Sequence, residues 1–123
     1  MKQVIVWILV ILVVGGGLVW LIKTPGRAGK LDGFATCIKD SGALFYGAFW
    51  CPHCQNQKAM FGASAKYLPY VECSTPDGSS QLPICNDAGV QGYPTWKFAD
   101  GTIKTGEVPL AELAAATNCP LPQ

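Results

Sequence analysis

Leu44-Phe45-Tyr46-Gly47-Ala48-Phe49-Trp50-Cys51-Pro52-His53-Cys54 decides how this chain folds, because an apolar run of strand length leads straight into two thiols three residues apart. A strand handing over to a helix would set both cysteines on one helical turn. Their Cα atoms would then lie within the roughly 4.4 to 6.8 Å that a disulfide spans. Pro52 suits the first helical turn, where its missing N–H costs nothing and its φ is already helical. A thiol at the helix start faces free backbone N–H groups and the positive end of the macrodipole, which favour thiolate. Cys51 is therefore the candidate nucleophile. Cys54, Phe61, Ala65 and Leu68 recur at helical spacing if the helix runs to about Tyr67, which turns Cys54 inward as the resolving thiol.

His53, the single histidine, can donate a hydrogen bond or a positive charge to the thiolate. Stabilising the dithiol in this way makes its disulfide an oxidant. The alternatives are a solvated His53 and a motif that is a zinc knuckle or a structural bridge. Zinc needs further ligands at close spacing. Cys73 and Cys85 are not so spaced, and no metal is expected.

Around this stretch the pattern is that of a small α/β sandwich. Leu31 to Ser41 reads as a short helix or turn bearing Cys37, and Leu44 to Trp50 as a strand buried on both faces. Tyr70 to Cys73 is a second strand, Thr75 to Ser80 a loop, and Gln81 to Ala88 a short helix. Pro94 stands at the entrance of a further strand, where no ladder N–H is needed. Asp100-Gly101 marks a hairpin between Thr95 to Ala99 and Thr102 to Thr105. A last helix covers Pro109 to Thr117.

The start of the chain differs in kind. Val4 to Ile22 contains no charged residue, a length close to the roughly 20 residues of a membrane-spanning helix. Trp7 and Trp20 stand near its ends, where amphipathic rings favour the interface. The run is too long for the apolar core of a signal peptide, and no good Ala-x-Ala cleavage site follows it. We therefore expect a transmembrane anchor over residues 1–22, crossing the membrane through residues 4–22. A linker follows over residues 23–30, and one folded domain over residues 31–123.

All eight acidic residues lie beyond Leu31, so the folded part is net negative although the chain is formally +1. No clustered basic face of the kind that binds nucleic acid is present. Six cysteines in so short a chain fit an oxidising compartment, which places the domain on the extracytoplasmic side, whether periplasmic, cell-surface or lumenal. Lys23, Arg27 and Lys30 after the span argue weakly for the opposite orientation.

From residue 32 to 117 the chain resembles thioredoxin-fold proteins, through Phe49-Trp50-Cys51-Pro52-His53-Cys54, Tyr93-Pro94-Thr95 and the Asp100-Gly101 hairpin. More narrowly, Phe45 to Cys54, Lys66 to Cys73 and Tyr93 to Trp96 resemble the thioredoxin-like domain fused to bacterial and plant homologues of vitamin K epoxide reductase. The resemblance implies a thioredoxin-like fold, a central mixed sheet flanked by helices, behind one N-terminal transmembrane helix. It implies a cis Pro94 which, with Tyr93 and Trp50, receives the substrate strand. It also implies a thiol:disulfide oxidoreductase whose only redox group is the Cys51–Cys54 disulfide, with no other cofactor. Cysteine-containing exported proteins would be the substrates, and a separate integral-membrane vitamin K epoxide reductase homologue the oxidant. Thioredoxin places a buried acid six residues before its first active cysteine. Phe45 stands there instead, leaving Cys54 to water or substrate for proton transfer.

Cys73 and Cys85 flank a loop of small and polar residues and are expected to pair. Cys37 and Cys119 lie at the two ends of the domain, where a bridge would staple the termini and free thiols are the alternative. Four cysteines allow three pairings, and spacing does not choose among them. The whole is read as an oxidase or isomerase of exported proteins. A reductase, or a tethered module with structural or metal-bound cysteines, is the alternative.

Overall fold

A computed structural model describes residues 1–23 and 28–123, with side chains described through residue 17 and again from residue 28. The Trp20 side chain and half of the expected linker, residues 24–27, fall outside the described parts. Helix α1 covers Lys2–Lys23, and every described side chain on it is exposed. Among the described residues no helix is long and apolar enough to cross a membrane.

The folded part begins with α2 (Asp32–Asp40). Strand β1 (Leu44–Gly47) leads into α3 (Pro52–Ala59), and a 3₁₀ helix over Gly62–Tyr67 precedes β2 (Tyr70–Glu72). A short α4 (Pro83–Asp87), the hairpin β3 (Thr95–Lys97) and β4 (Ile103–Thr105), and α5 (Leu110–Thr117) complete it. The strands form one mixed sheet in the order β2-β1-β3-β4. Strand β1 is parallel to β2, with Phe45 opposite Tyr70, and antiparallel to β3, with Phe45 opposite Trp96. Gly101 turns the β3–β4 hairpin at φ +87°, a conformation that suits glycine. Its N–H donates to the Phe98 carbonyl oxygen at 2.9 Å.

Neighbouring residues of a strand point to opposite faces, and β1 uses both. Phe45 enters the main core with Phe34 and Ile38 of α2, Cys54 of α3, Phe61, and Leu113 of α5. Its ring stacks on Trp96 at 4.7 Å, which stacks in turn on Phe98 at 6.4 Å. Tyr46 turns the other way, onto a smaller cluster of Cys73, Cys85 and Val90.

Two expectations are corrected. The helix begun at Pro52 stops at Ala59 and does not reach Tyr67. Gly62 sits at φ +53°, a left-handed conformation that ends regular α-helix, and the chain resumes as 3₁₀. Phe61 and Leu68 still reach the core, by this reversal and not along one helical stripe. The strand expected over Leu44 to Trp50 ends at Gly47. Phe49 and Trp50, expected to be buried, are 48% and 51% exposed, because past the last ladder residue the backbone turns out toward the rim.

Two disulfides brace the domain. Cys37 on α2 is bonded to Cys119 beyond α5, 82 residues apart in sequence, and Cys73 after β2 to Cys85 in α4. Closing so long a loop restricts the unfolded chain strongly. The double substitution Cys37→Ser/Cys119→Ser is expected to lower unfolding free energy by roughly 2–5 kcal/mol, read as a fall in the urea midpoint.

Candidate functional site

Cys51 and Cys54 are the two free cysteines among the described residues. Cys51 is the N-cap of α3, in extended backbone with φ −79° and ψ 119°, and Pro52 occupies the first helical turn. The Cys51 N–H donates to the Ala48 carbonyl oxygen at 3.0 Å, and its own carbonyl accepts from Gln55 N at 3.2 Å. These bonds hold the β1–α3 turn. Cys51 is nearly buried, with 6% of the residue exposed, and Cys54, one turn further in, is wholly buried.

The Tyr93–Pro94 peptide bond is cis. It brings the Tyr93 carbonyl oxygen to 3.8 Å from Cys51 Sγ, where the thiol donates to it. Trp50 stands edge-on to Tyr93, ring centroids 5.9 Å apart. Its indole N–H donates to Ser74 Oγ at 2.9 Å. The Tyr93 hydroxyl donates to Gln81 Oε1. Trp50, Cys51, Tyr93 and Pro94 thus meet around one thiol.

His53 pairs with a residue that the sequence did not single out. Its Nδ1 is 2.7 Å from Glu107 Oε2, and the side chain is 68% exposed. The imidazole is occupied by a carboxylate on the outer side of α3. A His53 held by Glu107 lends less net positive charge to the site than a lone imidazolium would.

Beneath the pair, Cys54 abuts backbone. A Cβ built on Gly47 would come within 2.8 Å of both Cys54 Sγ and Tyr70 Cε2, so only glycine fits there. Burial is the main cause that pushes the Cys54 thiol from its ordinary 9.0 up to about 12. Its hydrogen bond with Cys51 and the charge of that neighbour act in the same direction, while a backbone hydrogen bond at Ala48 and the Lys58 charge pull the other way. Glu72, at the end of β2, accepts from Phe49 N at 3.2 Å, Ser74 N at 2.9 Å and the Tyr70 hydroxyl at 2.7 Å. That hydroxyl is raised above the usual phenol range, first by burial and then by the Glu72 carboxylate.

Sequence reasoning missed Gln57, Glu72 and Glu107. Gln57 is fully buried. Its Oε1 accepts from Val108 N at 2.7 Å and Trp96 Nε1 at 3.2 Å, and its Nε2 donates to the Val108 carbonyl oxygen at 3.0 Å. The signal available was its place three residues after Cys54, a polar residue on the inward face.

A thiol at a helix start, a buried partner one turn on and a cis-proline loop closing over them form a site for thiol–disulfide exchange. The thioredoxin family model matches residues 33–116. This chain belongs to the thioredoxin family of thiol-disulfide oxidoreductases. It is 51% identical over 91 residues to the thiol-disulfide oxidoreductase LTO1 of Arabidopsis thaliana, across 70% of this chain and 24% of that protein. It is also 36% identical over 56 residues to the protein disulfide-isomerase erp38 of Neurospora crassa, across 42% of this chain and 15% of that protein. The chain thus spans about a quarter or less of the length of these relatives.

The raised Cys54 thiol has a consequence for stability. A proton held more tightly folded than unfolded stabilises the fold below the unfolded value and is lost as pH rises through the folded one. The dithiol protein is expected to lose stability as pH climbs from about 9 toward about 12. Denaturation midpoints across this range should fall more steeply for the wild type than for Cys54→Ala.

Proposed function

We propose that this chain is a membrane-tethered thiol:disulfide oxidoreductase that works through Cys51 and Cys54, in the oxidising direction, on exported proteins. The observation that carries the reading is the asymmetry of the two thiols, Cys51 at the N-cap of α3 with 6% of the residue exposed beside the Tyr93 carbonyl, and Cys54 with none behind it. A substrate thiolate attacks Cys51 Sγ of the disulfide, forming a mixed disulfide and expelling Cys54 as thiolate. A second substrate thiol then attacks the substrate sulfur of the mixed disulfide. This oxidises the substrate and leaves Cys51 and Cys54 reduced. Trp50, Tyr93 and Pro94 form the ledge on which the substrate backbone lies, and Pro52 sets the start of α3.

Reoxidation falls to a separate integral-membrane protein of the vitamin K epoxide reductase type. The sequence resemblance of residues 45–54, 66–73 and 93–96 supports that assignment. Tethering through residues 4–22 is supported by α1, whose described apolar side chains from Val4 to Val14 are all exposed. Such a surface in water is costly and calls for lipid or protein cover. The two disulfides of the folded part support an extracytoplasmic setting.

Cys51→Ser is expected to abolish exchange, and Cys54→Ala to accumulate mixed disulfides with substrate, both visible by mass. Equilibration with glutathione buffers tests the direction. A midpoint of about −120 to −200 mV supports oxidase or isomerase action, and one of about −270 mV a reductase. For the tether, the full chain is expected to remain with the membrane fraction after an alkaline carbonate wash, and release by the wash would exclude a span.

A further inference from the structure

Opening the Cys51–Cys54 disulfide creates an anion on a sulfur with no exposed surface. A buried anion is costly without a cation or a proton. One cationic side chain is built into the surroundings of that sulfur. Lys58 lies four residues beyond Cys54 on α3, so both side chains fall on the same face. Its Nζ sits 3.5 Å from the centroid of the Tyr70 ring, and that ring crowds the same point above Gly47 that Cys54 Sγ crowds. The Tyr70 ring is itself anchored, its hydroxyl donating to Glu72 Oε2 at 2.7 Å, while Glu72 Oε1 is taken by the Phe49 and Ser74 N–H groups. Lys58 forms no ion pair with a carboxylate among the described residues, so its charge is not spent on one.

We propose that Lys58, seated on the face of Tyr70, is the cation and proton donor that serves Cys54 when the disulfide opens, with Tyr70 and Glu72 as its positioning residues. The inference rests on the Cys51–Cys54 exchange reading. A substrate thiolate forms a bond to Cys51 Sγ, the Cys51–Cys54 bond breaks, and its electron pair stays on Cys54 Sγ. The Lys58 ammonium stabilises that anion and passes it a proton, leaving a neutral amine that takes a proton from solvent. Closing the disulfide runs the same steps backward, with the amine as base. Burial raises the Cys54 thiol above its ordinary value, so the sulfur released there favours taking a proton over remaining an anion. Lys58 also pulls the Cys54 value down, as a cation at this place must. The other titratable groups near Cys54 are Cys51 from the turn, Tyr70 from β2 and Tyr93 from the cis-proline loop, with Glu72 one hydrogen bond further out on the Tyr70 hydroxyl. None of these supplies a positive charge.

The test uses the full-length oxidised protein reduced by dithiothreitol across neutral to alkaline pH. Lys58→Met is expected to slow opening at neutral pH by about tenfold or more, within the range of general acid–base effects. Lys58→Arg keeps the charge without a proton to give and should fall between the two, with a flatter pH profile. Lys66→Met removes a lysine paired with a different ring, Tyr67, and should match the wild type. Equal rates for Lys58→Met and wild type overturn the proposal. A second readout is independent of turnover. In a Cys51→Ala background, which cannot exchange disulfides, the ultraviolet thiolate absorbance of Cys54 should rise at higher pH with Lys58→Met than with Lys58. Superimposable curves overturn the coupling even if the exchange activity stands. A wild type that fails to exchange, with the curves displaced, would instead reject the exchange reading alone.

Discussion

The site depends on one buried amide. Gln57 uses both ends of its side chain, accepting from Val108 N and Trp96 Nε1 and donating to the Val108 carbonyl and Met60 Sδ. These bonds join three parts of the chain that are remote in sequence: the helix that carries both reactive cysteines, the central strand β3, and the segment before α5. An unpaired buried amide costs about 1–3 kcal/mol per group, so α3 cannot rotate or slide without stranding these partners. The position of Cys51 against the Tyr93 carbonyl, and of Cys54 against Gly47, follows from that clamp. The same clamp holds the neighbour of Val108, Glu107, within reach of His53.

Two ionisable groupings flank the thiol pair and differ by their contact with solvent. Outside, His53 and Glu107 form an exposed pair, of the kind that contributes little to stability because water screens it. On the other side, half-buried Lys58 and Tyr70, the latter bonded to Glu72, lie next to the buried Cys54 sulfur, where charge is felt more strongly. Thiol–disulfide exchange places a transient negative charge on both sides in turn. Cys51 stands at the start of α3, whereas Cys54 has no exposed surface at all. Phe45 serves in the aromatic stack with Trp96, a packing role that a carboxylate could not fill.

Much of the architecture was legible from local pattern. The helix around Cys37, the Asp100-Gly101 hairpin and the last helix were each anticipated within a few residues, since turn chemistry and apolar spacing act over short stretches. The helix after Cys51 was read too long. Apolar spacing continued through Phe61 and Leu68, but Gly62 adopts a left-handed φ and redirects the chain. Phe49 and Trp50 were read as the end of a buried strand because the apolar run continued through them, whereas the strand ends at Gly47. Cys73–Cys85 and Cys37–Cys119 were two pairings among several that spacing permits, and proximity in the fold selects them.

From the sequence alone came a dithiol between a strand and a helix, a proline segment some 40 residues downstream, and an apolar stretch set apart from a cysteine-rich domain. These are properties of neighbours along the chain, and periodicity, turn residues and Cys spacing report them directly. Only the tertiary structure decided that His53 faces Glu107, that Gln57 is the clamp, and that Lys58, Tyr70 and Glu72 gather beneath Cys54. Those residues come from α3, β2 and the segment before α5. Their meeting depends on the register Phe45 opposite Tyr70 and Trp96 and on the absence of a Cβ at Gly47. Contacts of that range carry no local signature, because what selects them is the joint packing of elements far apart in the chain.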